Sequence, residues 1–281
     1  MSTDSVTKND KYIFKATTDE AFVIKIIGEL LNNTIRWAPI LIDNRGIFLI
    51  QEDNLCHQMI DLALYKDNFN YFKLTKPSIS FIINSVHLYK MLKSIKKKDK
   101  IELYITESDP LKLCICVDQS NVTFIKISYS QPKDPENLQG YEDPIIMNNK
   151  QFQKMKNLHN ISKTIAISSK PGYIRFFCDG SEFFSRELMI GTPDNEDNRN
   201  LPISFNQNFT TNYITGLVKC AGQSSNVKIY THEELPLKIL MKIGSLGELT
   251  VYIKSIEMIE MEKRIKEMEN DDGSESEEET N

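Results

Sequence analysis

Lys90, Lys93 and Lys97 stand at i, i+3 and i+7, with Lys96, Lys98 and Lys100 beside them. On a helix that spacing gathers three ammonium groups on one face. Leu88, Met91, Leu92 and Ile95, at i, i+3, i+4 and i+7, define another face that must be buried. Ammonium groups on flexible stems, without the fixed fork of arginine, suit a loose contact with phosphates that ignores base sequence. Taken alone, a lysine-rich helix face is more often simply solvated.

Three further helical patterns change that balance. Val23, Ile26, Ile27 and Leu30 define one buried face, with Lys25 pointing elsewhere. Lys150, Lys154 and Lys156 surround Phe152 and Met155, and Lys219 lies opposite Tyr213 and Leu217. Residues 84–98, 150–163 and 208–219 contain no Asp or Glu, in a chain that has 39 of them. A shared polyanionic partner explains this absence from equivalent elements better than solubility does.

Other chemistry has little to stand on. There is no GxxxxGK[ST] loop and no GxGxxG. The four histidines (His57, His87, His159, His232) are far apart, and none lies in an HExxH or a Cys/His cluster. Asp271-Asp272 and Glu277–Glu279 sit in an acidic tail where nothing fixes a carboxylate for catalysis, and Glu52-Asp53 reads as a surface turn. The expectation is therefore a protein that is not an enzyme, with no cofactor and no metal. Cys56, Cys114, Cys116, Cys178 and Cys220 are scattered and odd in number, which predicts small buried hydrophobes in a reducing compartment. No apolar run is long enough to span a bilayer, and residues 1–11 do not resemble a signal peptide, so no membrane partner and no secretion are expected.

The elements that must carry these lysines recur. A helical pattern, a polar turn and an apolar strand appear in that order four times. The helices are read at 20–33, 84–96, 150–160 and 208–220, and the strands after them begin at Ile35, Ile101, Ile165 and Val227, which are 66, 64 and 62 residues apart. Segments rich in Val, Ile, Phe and Tyr follow each, separated by turns such as Asn44-Arg45-Gly46 and Asp179-Gly180. Each repeat is thus one helix with about four strands.

Residues 131–144, with three prolines and Gly140, have the composition of a linker between two similar halves. The predicted division is a flexible N-terminus (1–10), a first domain (11–130), the connecting loop (131–144), a second domain (145–257) and an acidic C-terminal tail (258–281). The tail opens on a helical pattern at 258–268 and is expected to be disordered from Asp271. Residues 257–281 hold eleven Asp/Glu and three Lys/Arg. The net charge of −5 therefore conceals a body with 31 basic and 28 acidic residues, mildly suited to a nucleic-acid partner.

Leu88-Tyr89-Lys90-Met91-Leu92-Lys93-Ser94 with Asp99-Lys100-Ile101-Glu102-Leu103 resembles the second helix and following strand of the proliferating-cell-nuclear-antigen (PCNA) family of DNA sliding clamps. Phe209–Lys219 with Ser224–Ile229 resembles its fourth helix and strand. Leu235–Ile239, Lys242–Gly244 and Gly247–Ile253 resemble its C-terminal hairpin. The resemblance covers residues 12–257. It implies an α+β fold of two similar clamp domains, each a pair of helices packed on antiparallel sheets, joined head to tail as a homotrimeric ring around double-stranded DNA. The implied edges are Val122–Tyr129 of one subunit and Phe183–Ile190 of the next. Positions matching the family's DNA-facing cations are Lys25, Lys90, Lys93, Lys156 and Lys219, with Lys97 and Lys154 close by. Leu31 stands where the family commonly keeps lysine, and Asn212 where it often has arginine.

The family's clients, DNA polymerase and other replication and repair proteins, dock in a groove between linker and C-terminal hairpin. Leu138, Tyr141 and Pro236 match that groove, although packing of a linker explains Leu138 and Tyr141 equally well. Glu52 replaces a usual methionine, Cys56 and His57 a histidine and an apolar residue, and Lys254-Ser255 an Ala-Pro pair, so a different client motif is implied. The family also uses a clamp loader. A clamp-fold processivity or checkpoint subunit, acting as a monomer or in a heteromer, is the alternative, and an unrelated repeat-built binding protein is the third class. Location follows the replicating DNA, in the nucleus or, for a viral member, the cytoplasm.

Overall fold

A computed structural model describes residues 11–118, 121–131, 138–170, 172–182, 184–191 and 205–274, with side chains to 269. The expected flexible N-terminus, residues 132–137 of the linker, residue 183 and residues 275–281 lie outside them.

The four repeats are present, and each begins one strand earlier than the sequence reading places it. The first is β1 (Tyr12–Thr18), α1 (Ala21–Thr34), β2 (Trp37–Asp43), β3 (Gly46–Glu52), β4 (Gln58–Tyr65) and β5 (Tyr71–Leu74). The second is β6 (Ser78–Asn84), α2 (Ser85–Leu92), β7 (Ile101–Thr106), β8 (Lys112–Val117), β9 (Asn121–Lys126) and β10 (Ser128–Tyr129). The third is β11 (Ile145–Asn148), α3 (Asn149–Gln153), β12 (Thr164–Lys170), β13 (Tyr173–Ser181) and β14 (Phe184–Gly191). The fourth is β15 (Phe205–Thr210), α4 (Thr211–Thr215), α5 (Val218–Ala221), β16 (Asn226–Tyr230), β17 (Leu237–Ile243) and β18 (Gly247–Ile253). A final helix, α6 (Ile256–Ser274), follows. It makes Asp271–Ser274 helical where composition predicts disorder, because the Glu-, Lys- and Met-rich segment before them propagates the helix.

The chain forms two compact units: Met1–Asn137 with Lys219–Val227 and Leu240–Val251, and Leu138–Val218 with Lys228–Ile239 and Tyr252–Asn281. In the first, one antiparallel sheet has the order β5-β1-β7-β8-β9, and a second runs β10-β6-β2-β3-β4 with β18 beside β4. The expected edge at 122–129 is therefore divided: β9 belongs to one sheet, while β10 pairs with β6 in the other. In the second unit the order is β14-β13-β12-β15.

Alternation fixes the register. Ala38, Ile40 and Ile42 of β2 lie opposite Ile83, Phe81 and Ile79 of β6, and all six are buried. A slip of one residue would expose the whole set, and each such side chain contributes about 1.5–3 kcal/mol on burial. Against these sheets α1 buries Val23, Ile26, Ile27 and Leu30, as its periodicity predicts, together with Ala21, Ile24, Gly28 and Leu31. Gly28 lets α1 and α2 meet closely, since a Cβ there would sit 2.7 Å from Leu92 Cδ1.

Side-chain caps start two of the lysine-bearing helices. Asn84 Oδ1 accepts the His87 N–H at 3.1 Å, and Asn148 with Gln151 forms a reciprocal capping box. All the helices in the repeats except α1 are shorter than predicted. α2 stops at Leu92: Ile95 turns into the core and the Asp99 carboxylate accepts the Lys96 N–H at 2.8 Å. α3 gives way to a 3₁₀ turn at Lys154–Asn157. Residues 208–210 are strand, because they pair with β12, and Gly216 separates α4 from α5. The cysteines also depart from expectation. Cys178 and Cys220 are buried, but Cys114 and Cys116 are half-buried opposite the inward Leu113 and Ile115, and Cys56 is exposed.

Candidate nucleic-acid interface

α2 and the turn after it present Lys90, Lys93 and Lys97, all exposed. Lys90 lies on the helix, Lys93 is its C-cap, and Lys97 falls in the turn rather than on a continued helical face. A cation at the C-terminal end of a helix also meets the negative end of its dipole. Lys154 and Lys156 are exposed on the 3₁₀ turn after α3, with Phe152 and Met155 buried beneath them.

Two of the seven predicted cations are already engaged. Lys25 is half-buried and donates from Nζ to the Ile95 carbonyl oxygen at 2.8 Å, so it ties α1 to the chain leaving α2. Its ammonium and that of Lys97 lie 5.6 and 5.8 Å from the centre of the Phe22 ring. Lys219, exposed on α5, is ion-paired with Glu29, the one carboxylate on α1. Sequence reading passes over Glu29; an isolated acid within an otherwise acid-free helix is the available signal. Leu31, at the position where the family keeps a lysine, is only 2 % exposed, and Asn212 is exposed. A side chain at position 31 therefore starts from within the core.

Each unit also offers a strand at a sheet end. β9 ends the five-stranded sheet and exposes Val122 and Phe124. β14 ends the four-stranded sheet and exposes Phe184 and Met189. Backbone groups along such strands pair readily with another strand.

The six predicted groove residues divide between the units. Glu52 and His57 belong to the first. Glu52 is exposed at the end of β3, and the half-buried His57 closes a turn by donating its N–H to Asp53 Oδ1 at 2.8 Å. Leu138, Tyr141, Pro236 and Lys254 belong to the second. There Tyr141 donates its phenol to the Pro236 carbonyl oxygen at 2.7 Å and packs edge-on against Tyr230 and His232. The Lys238 ammonium lies 4.9–5.7 Å from the rings of Tyr141, Tyr230 and Tyr252. Burial, then the neighbouring Tyr252, pushes the Tyr141 phenol well above its ordinary value. Leu138 is half-buried, and Lys254 pairs with Glu262 of α6 at 2.7 Å. Among the described residues no three His, Cys, Asp or Glu side chains gather as metal ligands, and no helix is long and apolar enough to cross a membrane.

Comparison with known proteins gives a consistent result. The model of the C-terminal domain of proliferating cell nuclear antigen matches residues 136–256. A probable DNA polymerase sliding clamp 1 of Paramecium bursaria Chlorella virus 1 is 23 % identical over 259 residues, covering 88 % of this chain and 98 % of that protein. A probable DNA polymerase sliding clamp of Acanthamoeba polyphaga mimivirus is 22 % identical over 221 residues; they cover 75 % of this chain and 47 % of the mimivirus protein, so the alignment spans about half of that relative. The crystal structure of the proliferating cellular nuclear antigen from Entamoeba histolytica superposes with a TM-score of 0.70 at 20 % identity, covering 87 % of this chain and 99 % of that one. The chain has the clamp fold of PCNA, and residues 136–256 match the C-terminal domain of that family.

Proposed function

We propose that this protein is a DNA sliding clamp: a non-catalytic processivity factor that closes as a head-to-tail homotrimer around duplex DNA and tethers polymerase and repair enzymes. The domains would be 11–130 and 145–257, joined by the loop 131–144, and the ring would act wherever its DNA replicates. The observation that carries this reading is the pair of sheet ends. β9 and β14 are different surfaces with exposed apolar side chains, and a contact between unlike edges closes into a ring when its rotation permits. The names of the viral relatives support the same reading. Lys90, Lys93, Lys97, Lys154 and Lys156 are the cations free to meet phosphates without regard to sequence, with Lys25 and Lys219 contributing charge from restrained positions. The client-docking residues expected from the resemblance, Glu52 and His57 in the first unit and Leu138, Tyr141, Pro236 and Lys254 in the second, would each take part in client binding, and a clamp loader would open the ring.

Retention on nicked circular DNA after loading tests encirclement. A ring stays on the circle and slides off once the circle is cut. A protein retained equally on circular and linear DNA binds without encircling, and the proposal then fails.

A further inference from the structure

The five-stranded sheet has a second end. Its order is β5-β1-β7-β8-β9, so β5 carries one edge of backbone N–H and C=O groups with no strand beside it. Side chains alternate along β5. Phe72 and Leu74 are half-buried, and the Phe72 ring meets that of Phe14 edge-on at 5.6 Å; Tyr71 and Lys73, on the opposite face, are exposed. Phe72, Lys73 and Leu74 line a cleft together with Lys66, from the 3₁₀ turn Lys66–Asn68, and Lys76, from the turn into β6. The three lysines are exposed, and among the described residues none of them is ion-paired. The carboxylate that lines the cleft, Asp43, is already taken: Arg45 donates to it from Nη2 and from its backbone N–H at 2.7 Å and from Nε at 3.0 Å. Asp67, next to Lys66, does not line the cleft. In the pairing of β1 with β5, Lys15 stands directly opposite Lys73. Lys15 is answered by Glu102 at 2.9 Å, whereas Lys73 has no carboxylate beside it.

We infer that the β5 edge is a docking site for an extended acidic segment of a partner protein, which adds a strand to the sheet with its carboxylates on the Lys73 face and its apolar side chains on the Phe72 face. The edge selects a strand, because successive backbone N–H and C=O groups are answered in register by another peptide backbone. Phosphates of a nucleic acid would meet the lysines and leave that edge unanswered. The lysines select the charge. Like charges directly opposite one another repel, so a basic strand, or a second β5 carrying its own Lys73, is turned away. A carboxylate opposite Lys73 offsets the repulsion it already meets from Lys15 and gives it the partner it lacks. Lys66 and Lys76 extend the same preference beyond the strand. This inference stands on the first unit alone and holds whether or not DNA is encircled.

The probe is a fluorescent synthetic peptide of about eight residues that alternates glutamate with valine, so that one face is acidic and the other apolar when it is extended. One matched peptide carries glutamine for glutamate. Another keeps the glutamates and is N-methylated throughout, which removes its backbone donors and leaves its charge. Anisotropy against the full chain should show binding of the glutamate peptide, binding of the glutamine peptide weaker by about tenfold or more, and none of the N-methylated one. Lys73→Glu combined with Lys76→Glu should weaken the glutamate peptide by about tenfold or more and bind instead a peptide with lysine in place of glutamate. Circular dichroism of that variant should be unchanged, because both lysines are exposed. Binding of the N-methylated peptide as tight as the parent's would make the cleft a charged patch without strand addition and overturn the inference. Equal binding of the glutamine peptide, or binding that persists in the double variant, would also overturn it. So would displacement of the peptide by an equimolar DNA duplex, which would make the cleft a phosphate site, or binding seen only once residues 271–281 are removed, which would make the chain's own acidic end the occupant.

Discussion

Lys219 of α5 and Glu29 of α1 form an ion pair in which the carboxylate is the more buried partner, with 20 % side-chain exposure against 66 % for the lysine. The pair holds a cation assigned to DNA contact against the neighbouring helix. Exposed pairs of this kind contribute about 0–1 kcal/mol to stability, so their larger effect is on where the charge points. Glu29→Gln should free Lys219, strengthen binding to duplex DNA and steepen its salt dependence. Melting temperature should hardly move. A salt slope and affinity in the variant equal to the parent's would remove Lys219 from the interface.

Replacing Lys90, Lys93 and Lys97 together with alanine should weaken DNA retention and leave the fold intact, because all three are exposed. Removing one ammonium–phosphate pairing lowers the slope of log K against log salt by about 0.9, so a slope reduced by between about 1 and 3 is expected. An unchanged slope would mean that these ammonium groups meet water and nothing else.

Leu31→Lys sets the structure against the family pattern. Family resemblance suggests that a lysine there would restore a DNA contact, whereas the 2 % exposure of Leu31 says that it would bury an unpaired charge. Destabilisation of about 3 kcal/mol or more is expected. Urea denaturation that matched the parent would show that position 31 can open to solvent.

Phe124→Glu places a charge on the β9 edge, where the ring is 53 % exposed and the Lys112 ammonium sits 4.7 Å from its centre. On the proposed ring, light scattering should show trimers of the parent falling to monomers in the variant, with the monomer's circular dichroism unchanged. A variant that remains trimeric would move the subunit contact away from this strand.

Burial, reinforced by the charge of Glu29, pushes the Cys220 thiol up from an ordinary 9.0 to about 12. The raised value belongs to the folded state of an acid, so the unfolded chain loses its proton first as pH rises. The contribution of the protonated thiol is therefore intact below pH 9 and declines between pH 9 and about 12. Cys220→Ala should flatten that part of the stability profile. Thiol labelling at pH 8 should reach the exposed Cys56 quickly and Cys220 only on unfolding; rapid labelling of Cys220 in the folded protein would contradict its burial.

The sequence by itself determined what depends on near neighbours along the chain. The inward faces of α1 and α2, the alternation in strands such as β8, the four-fold repeat and the acid-free lysine segments are all periodic patterns, and period follows from local backbone geometry. The strands that open each repeat are legible in the same way, since Ile79, Phe81 and Ile83 alternate in β6, although the helix-first reading of the repeat leaves them out. The tertiary structure decided which groups are free. Lys25 finds the Ile95 carbonyl 70 residues away, Tyr141 finds Pro236 across 95, and Lys219 finds Glu29 across 190. It also decided that Leu31 is core, that α2 stops at Leu92, and that β9 and β14 are sheet ends. None of these could be read locally, because an exposed lysine and a tethered one look alike in sequence until the chain brings the partner back.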